Sequence, residues 1–261
     1  MKRFIFNYLT ILFFSFIMSA DISAETLTGK QIVERVEQLL WSDSLEGQYD
    51  MTITTPYWSR TLKMHLWMER PVKSFIRILS PKKEAGIGSL RINNEMWNYL
   101  PKVERTFKVP PSMMLQPWMG SDFSNDDLVK ESSIIHDYNH RLITDKNTPN
   151  SSVLFIESKP KPDAAVVAGK LVYQVQKKDL IPLTLEYYDE RGRLIKTLTF
   201  SDVKKMNGRH VPTLWVMQST EKPENHTSIK VNQSEYIYLR ARHGSHFRNH
   251  NIRINNLHCG Q

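Results

Sequence analysis

The chain has 261 residues, a formal net charge of +8 and a pI near 9.4, an excess that would suggest nucleic acid in a cytosolic protein. An export signal at its start excludes that partner and leaves anionic lipid head groups or acidic envelope polymers. The simpler reading of the charge is a solvated end, because Arg240, Arg242, Arg248 and Arg253 all follow the last acid, Glu235. A single cysteine, Cys259, excludes an intramolecular disulfide, so stability has to come from burial.

Lys2 and Arg3 open the chain, an apolar stretch runs to near Met18, and small and polar residues lead to Ser23 and Ala24. This is the pattern of a secretory signal peptide. The apolar part is interrupted by Asn7 and Thr10 and is shorter than the roughly 20 residues that cross a bilayer as a helix. The expected signal peptide is therefore 1–24, cut after Ala24. Cleavage after Ala20 is the alternative, because Ile22 is bulky for its place before the cut. No cysteine near either site could take an acyl chain, so the expected product is an unlipidated periplasmic protein. One large β domain is expected over 25–235, followed by a basic polar tail over 236–261 that is expected to be disordered.

Thr28 and Gln31 form a capping-box pattern, and Ile32, Val33, Val36, Leu39 and Leu40 follow at helical spacing. One amphipathic helix is predicted there. From Glu46 the apolar residues alternate instead, through Tyr49, Met51 and Ile53 and then Leu62, Met64, Leu66 and Met68, with Pro56 in the connection. Period two predicts strands with one buried face. Further strands are predicted at 74–79, 89–93, 95–100 and 104–109, punctuated by Pro81, Gly86, Gly88, Asn94 and Pro101. The second half repeats the pattern at 153–157, 171–175, 183–188, 194–200, 211–217 and 228–231, with turns at DERG and MNGR. The expected fold is mainly β: about ten or eleven strands in one sequential antiparallel meander, too many to stay flat and therefore curled into an unclosed barrel around a cavity. Between the halves, PPSMMLQPWMGSDFSNDDL is apolar but broken by Pro110, Pro111, Pro117 and Gly120, which suits a lid or plug. Ser124 is placed to cap a short helix there, with Asp126 and Asp127 in its first turn.

No HExxH, CxxC, GxSxG, phosphate-cradling or dinucleotide-binding motif occurs in the mature chain, so no catalytic residue and no cofactor are expected. Asp122, Asp126 and Asp127 lack the spacing of a calcium loop and read better as caps. His243, His246, His250 and His258 with Cys259 match no usual zinc spacing. Methionine and aromatic residues are concentrated in the first half, and methionine packs adaptably against irregular apolar partners. These residues suit a ligand cavity or an ordinary core.

The run LKMHLWMERPVKSFIRILSPKKEAGIGSLRINNEMWNYLPKVERTFKVPPSMM, then WMGSDFSNDDL, and in the second half IPLTLEYYDERGRLIKTLTFSDVKKMNGRHVPTLWVMQ, resemble the LolA-like outer-membrane lipoprotein-sorting family. The likeness runs from about Gly47 to Lys230, and MGSDF and EYYDERG are its most specific elements. It implies an unclosed β-barrel capped by helices, whose apolar concave face shields acyl chains from water. The cavity wall is then expected at Met51, Ile53, Leu62, Met64, Leu66, Met68, Met96, Trp97 and Tyr99. Its lid is expected at Met113, Met114, Leu115, Trp118 and Met119. The implied role is a periplasmic carrier of a lipid or of lipoprotein acyl chains, partnered by an inner-membrane transporter and touching membranes only transiently. An envelope adaptor whose barrel is filled by Trp67, Trp97 and Trp215 is the alternative, and an envelope-polymer enzyme is a third reading. One departure stands out: the family ends with a further strand, whereas here alternation is lost from Tyr236 on, and a missing or replaced last strand would leave the barrel edge open.

Overall fold

The computed structural model describes residues 27–130, 134–143, 152–164 and 166–237. The expected signal peptide and nearly all of the expected tail, with its histidines and Cys259, lie outside them. The first half comprises the helix α1 (Gly29–Leu40) and strands β1 (Ser44–Thr54), β2 (Ser59–Glu69), β3 (Lys73–Ser80), β4 (Gly88–Ile92), β5 (Glu95–Leu100) and β6 (Arg105–Lys108). Two single 3-10 turns and the short helices α2 (Asn125–Lys130) and α3 (Ile134–Asp137) follow. The second half comprises β7 (Tyr138–Ile143), β8 (Val153–Pro160), β9 (Lys170–Gln176), β10 (Pro182–Tyr188), β11 (Leu194–Met206), β12 (Arg209–Ser219) and β13 (His226–Ile237).

All 13 strands belong to one antiparallel sheet, in the order β6-β5-β4-β3-β2-β1-β13-β12-β11-β10-β9-β8-β7. Each half is a meander, as the short turns predict, but the halves are joined by pairing of the first strand with the last. β1 and β13 run together from Ser44↔Ile237 to Thr54↔His226. This corrects one expectation, since the meander is not one sequential run. The condition for an open edge at the last strand is not met: β13 is held by β1 on one side and β12 on the other. The free edges are β6 and β7, so the sheet is unclosed. At the seam, a Cβ on Gly47 would sit 2.7 Å from the Gln233 carbonyl oxygen, so this close approach requires glycine.

Curling follows from what the helices touch. α1 packs against both β7 and β12, which lie far apart in the sheet order, and α2 packs against β5 while its Asp127 pairs with Lys196 of β11. A flat sheet could not bring these strands to one helix. α1 forms as predicted, with the Thr28 hydroxyl accepting from the Gln31 amide and the Gln31 side chain accepting from the Thr28 amide. Ile32, Val33, Val36 and Leu40 of its apolar stripe are buried, each worth about 1.5–3 kcal/mol relative to exposure.

Candidate functional site

The curled sheet, α1 and the segment between β6 and β7 border a partly open cavity of about 650 Å³. Alternation along the strands makes its wall. Tyr49, Met64, Leu66, Met68 and Ile76 line it from the first half, and Leu171, Leu185, Leu198, Phe200 and Trp215 from the second. Leu40 and Trp41 close the side held by α1, with the Trp41 ring edge-on to Trp215 at 5.1 Å between centroids. Phe200 meets Trp215 at 5.9 Å. Opposite them, Leu115, Trp118, Phe123 and Leu128 cover the space.

The predicted wall residues divide into three sets. Met64, Leu66 and Met68 line the cavity. Met51, Ile53, Leu62 and Met96 are buried in the core beside it without reaching the open space. Trp97 and Tyr99 need correcting. Met96 pairs with Arg91 and Trp97 with Leu90, so Trp97 and Tyr99 point to the opposite, outer face, as period two requires of neighbours in one strand. There Trp97 lies 5.7 Å beneath the Lys108 ammonium, and Trp67 stacks on His65 at 3.8 Å and on Phe75 at 5.8 Å. Of the predicted lid residues, Leu115 and Trp118 line the cavity, Met114 and Met119 pack against the core from the side, and Met113 is exposed. The wall contributed by β9 to β12 and by α1 was not anticipated. The same alternation marked those strands, but nothing local reveals that β1 pairs with β13 and folds the second half over the first.

The cover owes its shape to the MGSDF element. Met119 and Gly120 both take left-handed backbone, at φ 53° and 75°, in a tight reversal. The Ser121 amide and hydroxyl both donate to the Trp118 carbonyl, and the Trp118 amide donates to the Phe123 carbonyl. This reversal presents four polar latches. The Trp118 indole donates to Ser89 Oγ on β4 at 3.0 Å, and Arg60 of β2 donates to the Met119 carbonyl at 2.5 Å. Thr227 on β13 donates to the Asp122 carboxylate at 2.6 Å and accepts from the Asp122 amide at 2.9 Å. Asp127 accepts from Lys196 of β11 at 2.5 Å while also bonding Ser124, whose hydroxyl caps α2 through the Asp127 amide. The expected capping by Ser124 is thus present, and Asp127 does more than cap.

Charged side chains interrupt the apolar wall, among them Glu37, Asp122, Asp126, Asp127 and Lys196, and most of these are paired. Glu37 of α1, 3 % exposed, pairs with Arg70 at 2.9 Å and accepts from the Tyr173 hydroxyl at 3.5 Å. Burial, reinforced by the Glu37 charge, raises the Tyr173 pKa well above the ordinary phenol value. The Lys196 ammonium sits 4.8 Å from the centre of the Tyr187 ring, whose hydroxyl is likewise pushed up by burial and then by Asp127. Both phenols are neutral around pH 7, so they add hydrogen-bonding points to the wall without adding charge. The EYYDERG element contributes Tyr187 to this wall and then turns. Asp189 accepts from the Arg191 and Arg193 amides at 2.9 and 2.8 Å, and Gly192 takes φ 77°.

A protein-family model described as "-like: Uncharacterized protein" matches residues 71–241. Among solved structures, a DUF1329 family protein from Desulfovibrio piger is similar, with 23% identity and a TM-score of 0.71 over 80% of this chain and 91% of that one. A LolA superfamily protein from Nitrosomonas europaea shares 17% identity at a TM-score of 0.69, over 82% and 96% of the two chains. A domain from Vibrio parahaemolyticus assigned as an outer-membrane lipoprotein-sorting protein shares 22% identity at 0.68, over 82% and 94%. No curated protein matches the chain.

Proposed function

Since this chain belongs to the LolA-like family, we propose that it is a periplasmic carrier that holds a lipid, or the acyl chains of a lipoprotein, in its apolar cavity and moves it towards the outer membrane without chemistry of its own. The observation that carries this reading is the partly covered cavity of about 650 Å³, within the roughly 300–1,000 Å³ typical of small-ligand sites. Hiding an acyl chain from water is worth about 0.8 kcal/mol for each methylene buried, so a wall of Leu66, Met68, Leu185 and Phe200 supplies affinity without any specific polar contact. Methionines at Met64 and Met68 adapt to chains of differing length and branching. An inner-membrane transporter as donor, and brief membrane contact at loading or delivery, complete the proposal. The adaptor alternative calls for a barrel filled by Trp67, Trp97 and Trp215. The open space counts against it, as does the position of Trp67 and Trp97 on the outer face.

The test is native mass spectrometry of the chain purified from the periplasm, with solvent extraction and lipid identification on the same sample. The expected result is a stoichiometric apolar adduct that is lost in Leu66→Lys, while the outer-face variant Trp97→Lys keeps it. Bare protein that takes up no added acyl ligand would overturn the proposal.

A further inference from the structure

Strand pairing places the β1–β2, β3–β4 and β5–β6 connections at one end of the sheet. They touch one another. Arg60, at the start of β2, pairs with Glu84 of the β3–β4 loop at 3.3 Å, and a Cβ on Gly86 of that loop would lie 3.3 Å from Cγ of Pro101 in the β5–β6 turn. These three tips expose large apolar side chains, of which Trp58 carries the Arg60 guanidinium over its ring at 5.8 Å. Tyr57 is 93% exposed, Val103 58% and Trp58 47%, and Leu79 and Leu100 stand out beside them. The rings do not hold the turn. The Thr55 hydroxyl accepts from the Tyr57 and Trp58 amides, and the Thr55 amide donates to the Trp58 carbonyl.

Interleaved with these apolar tips are Lys82, Lys83, Lys102 and Arg105, all exposed, against one exposed acid, Glu104. Glu84 is buried and already paired with Arg60. The mirror-image tips of the second half carry no such excess: Asp189 and Glu190 accompany Arg191 and Arg193, and Glu221 and Glu224 accompany Lys222. Aromatic and aliphatic tips set among lysines are the chemistry of an interfacial anchor on anionic lipid. Arg60 joins this surface to the cover, because the same guanidinium that holds Glu84 also holds the Met119 carbonyl.

We propose that the three hairpin tips of the first half form a docking surface for an anionic lipid bilayer, with Tyr57, Trp58 and Val103 entering the interface and Lys82, Lys83 and Lys102 meeting its phosphates. This sharpens the brief membrane contact of the carrier reading into a defined surface and lipid class. It does not depend on cargo.

The test is co-sedimentation of the full exported chain with vesicles of phosphatidylglycerol and phosphatidylethanolamine, beside vesicles of phosphatidylcholine alone. Binding is expected on the anionic vesicles and to weaken with salt. Replacing Lys82, Lys83 and Lys102 together by alanine should lower partitioning on the order of a hundredfold at low salt. Tyr57→Ser with Trp58→Ser should abolish the part that survives high salt. The control, Lys204→Ala with Lys205→Ala, changes two lysines at the opposite end of the sheet and should bind as the parent does. All variants retain the basic tail, so its contribution cancels. No binding to anionic vesicles, or binding that the tip variants keep, overturns the proposal. Because surface binding is read without cargo, failure here leaves the cavity proposal standing, and the adduct measurement tests that separately.

Discussion

Two elements close the concave side of the sheet, and they are held by different physics. α1 is held by shape and burial: Ile32, Val33 and Val36 are at most 1% exposed, and Arg70 and Arg209 reach across to its Glu37 side chain and Gln38 carbonyl. The cover between β6 and β7 also buries Val109, Trp118, Phe123 and Val129, but unlike α1 it leaves large apolar side chains, Met113 and Leu115, exposed. It is tied down by hydrogen bonds from Arg60, Thr227 and Lys196 and by the Trp118 indole. Burial is lost all at once, whereas single hydrogen bonds net only about 0.5–1.5 kcal/mol each and exchange readily with water. The comparison makes the cover, with its exposed Met113 and Leu115, the place where the cavity is expected to open before α1 does.

The largest expected effect falls on α1. Glu37→Leu removes the carboxylate facing Arg70, and breaking a buried pair costs about 3–5 kcal/mol. The urea midpoint should drop sharply with the slope unchanged. A variant as stable as the parent would show that α1 is no more firmly seated than the cover. Thr227→Val keeps its volume but removes both bonds to Asp122, and should cost about 1–3 kcal/mol. In hydrogen exchange the amides of Ser121 to Asp127 should then speed up while those of α1 stay protected; equal acceleration in both would erase the distinction.

The smallest effect concerns the strand beneath α1. His140 of β7 shares a hydrogen bond with the fully buried Ser158, and burial lowers its pKa, helped by Lys30 and opposed by the Ile135 and Ile134 backbone and by Glu34. The folded ring is thus neutral where the unfolded one, titrating near 6.5, begins to bind a proton. Below that pH the unfolded chain binds more protons, so stability is fully present above pH 6.5 and falls as pH drops through it. His140→Gln should flatten that fall in thermal melts between pH 7 and pH 5.

Much of this was legible in the residues. The capping pair Thr28 and Gln31 marked the start of α1, and alternation marked every strand but one. The exception, β7, reads YNHRLI: Tyr138 alone is buried, because an edge strand has little core to face, so the period never shows. Trp97 and Tyr99 were drawn to the cavity by their chemistry although their register with Met96 excluded it. The β1–β13 seam was hidden for another reason. Its partners are set by long-range register and by the fit of Gly47 against Gln233, neither of which leaves a local signature. The cover was recognisable from its prolines and methionines. Its latches were not, since two of them end on a main-chain carbonyl or a threonine hydroxyl far along the chain.

The most direct test of the cavity uses the six tryptophans. Trp41, Trp118 and Trp215 line it, while Trp58, Trp67 and Trp97 lie outside. Titration with a fatty acid brominated on its chain should quench part of the fluorescence, saturate at one ligand per chain, and leave the emission of the outer three intact. In a variant with Trp41, Trp118 and Trp215 all changed to phenylalanine the saturable quenching should vanish. Absence of quenching in the parent, or its persistence in that variant, would contradict carriage in this cavity.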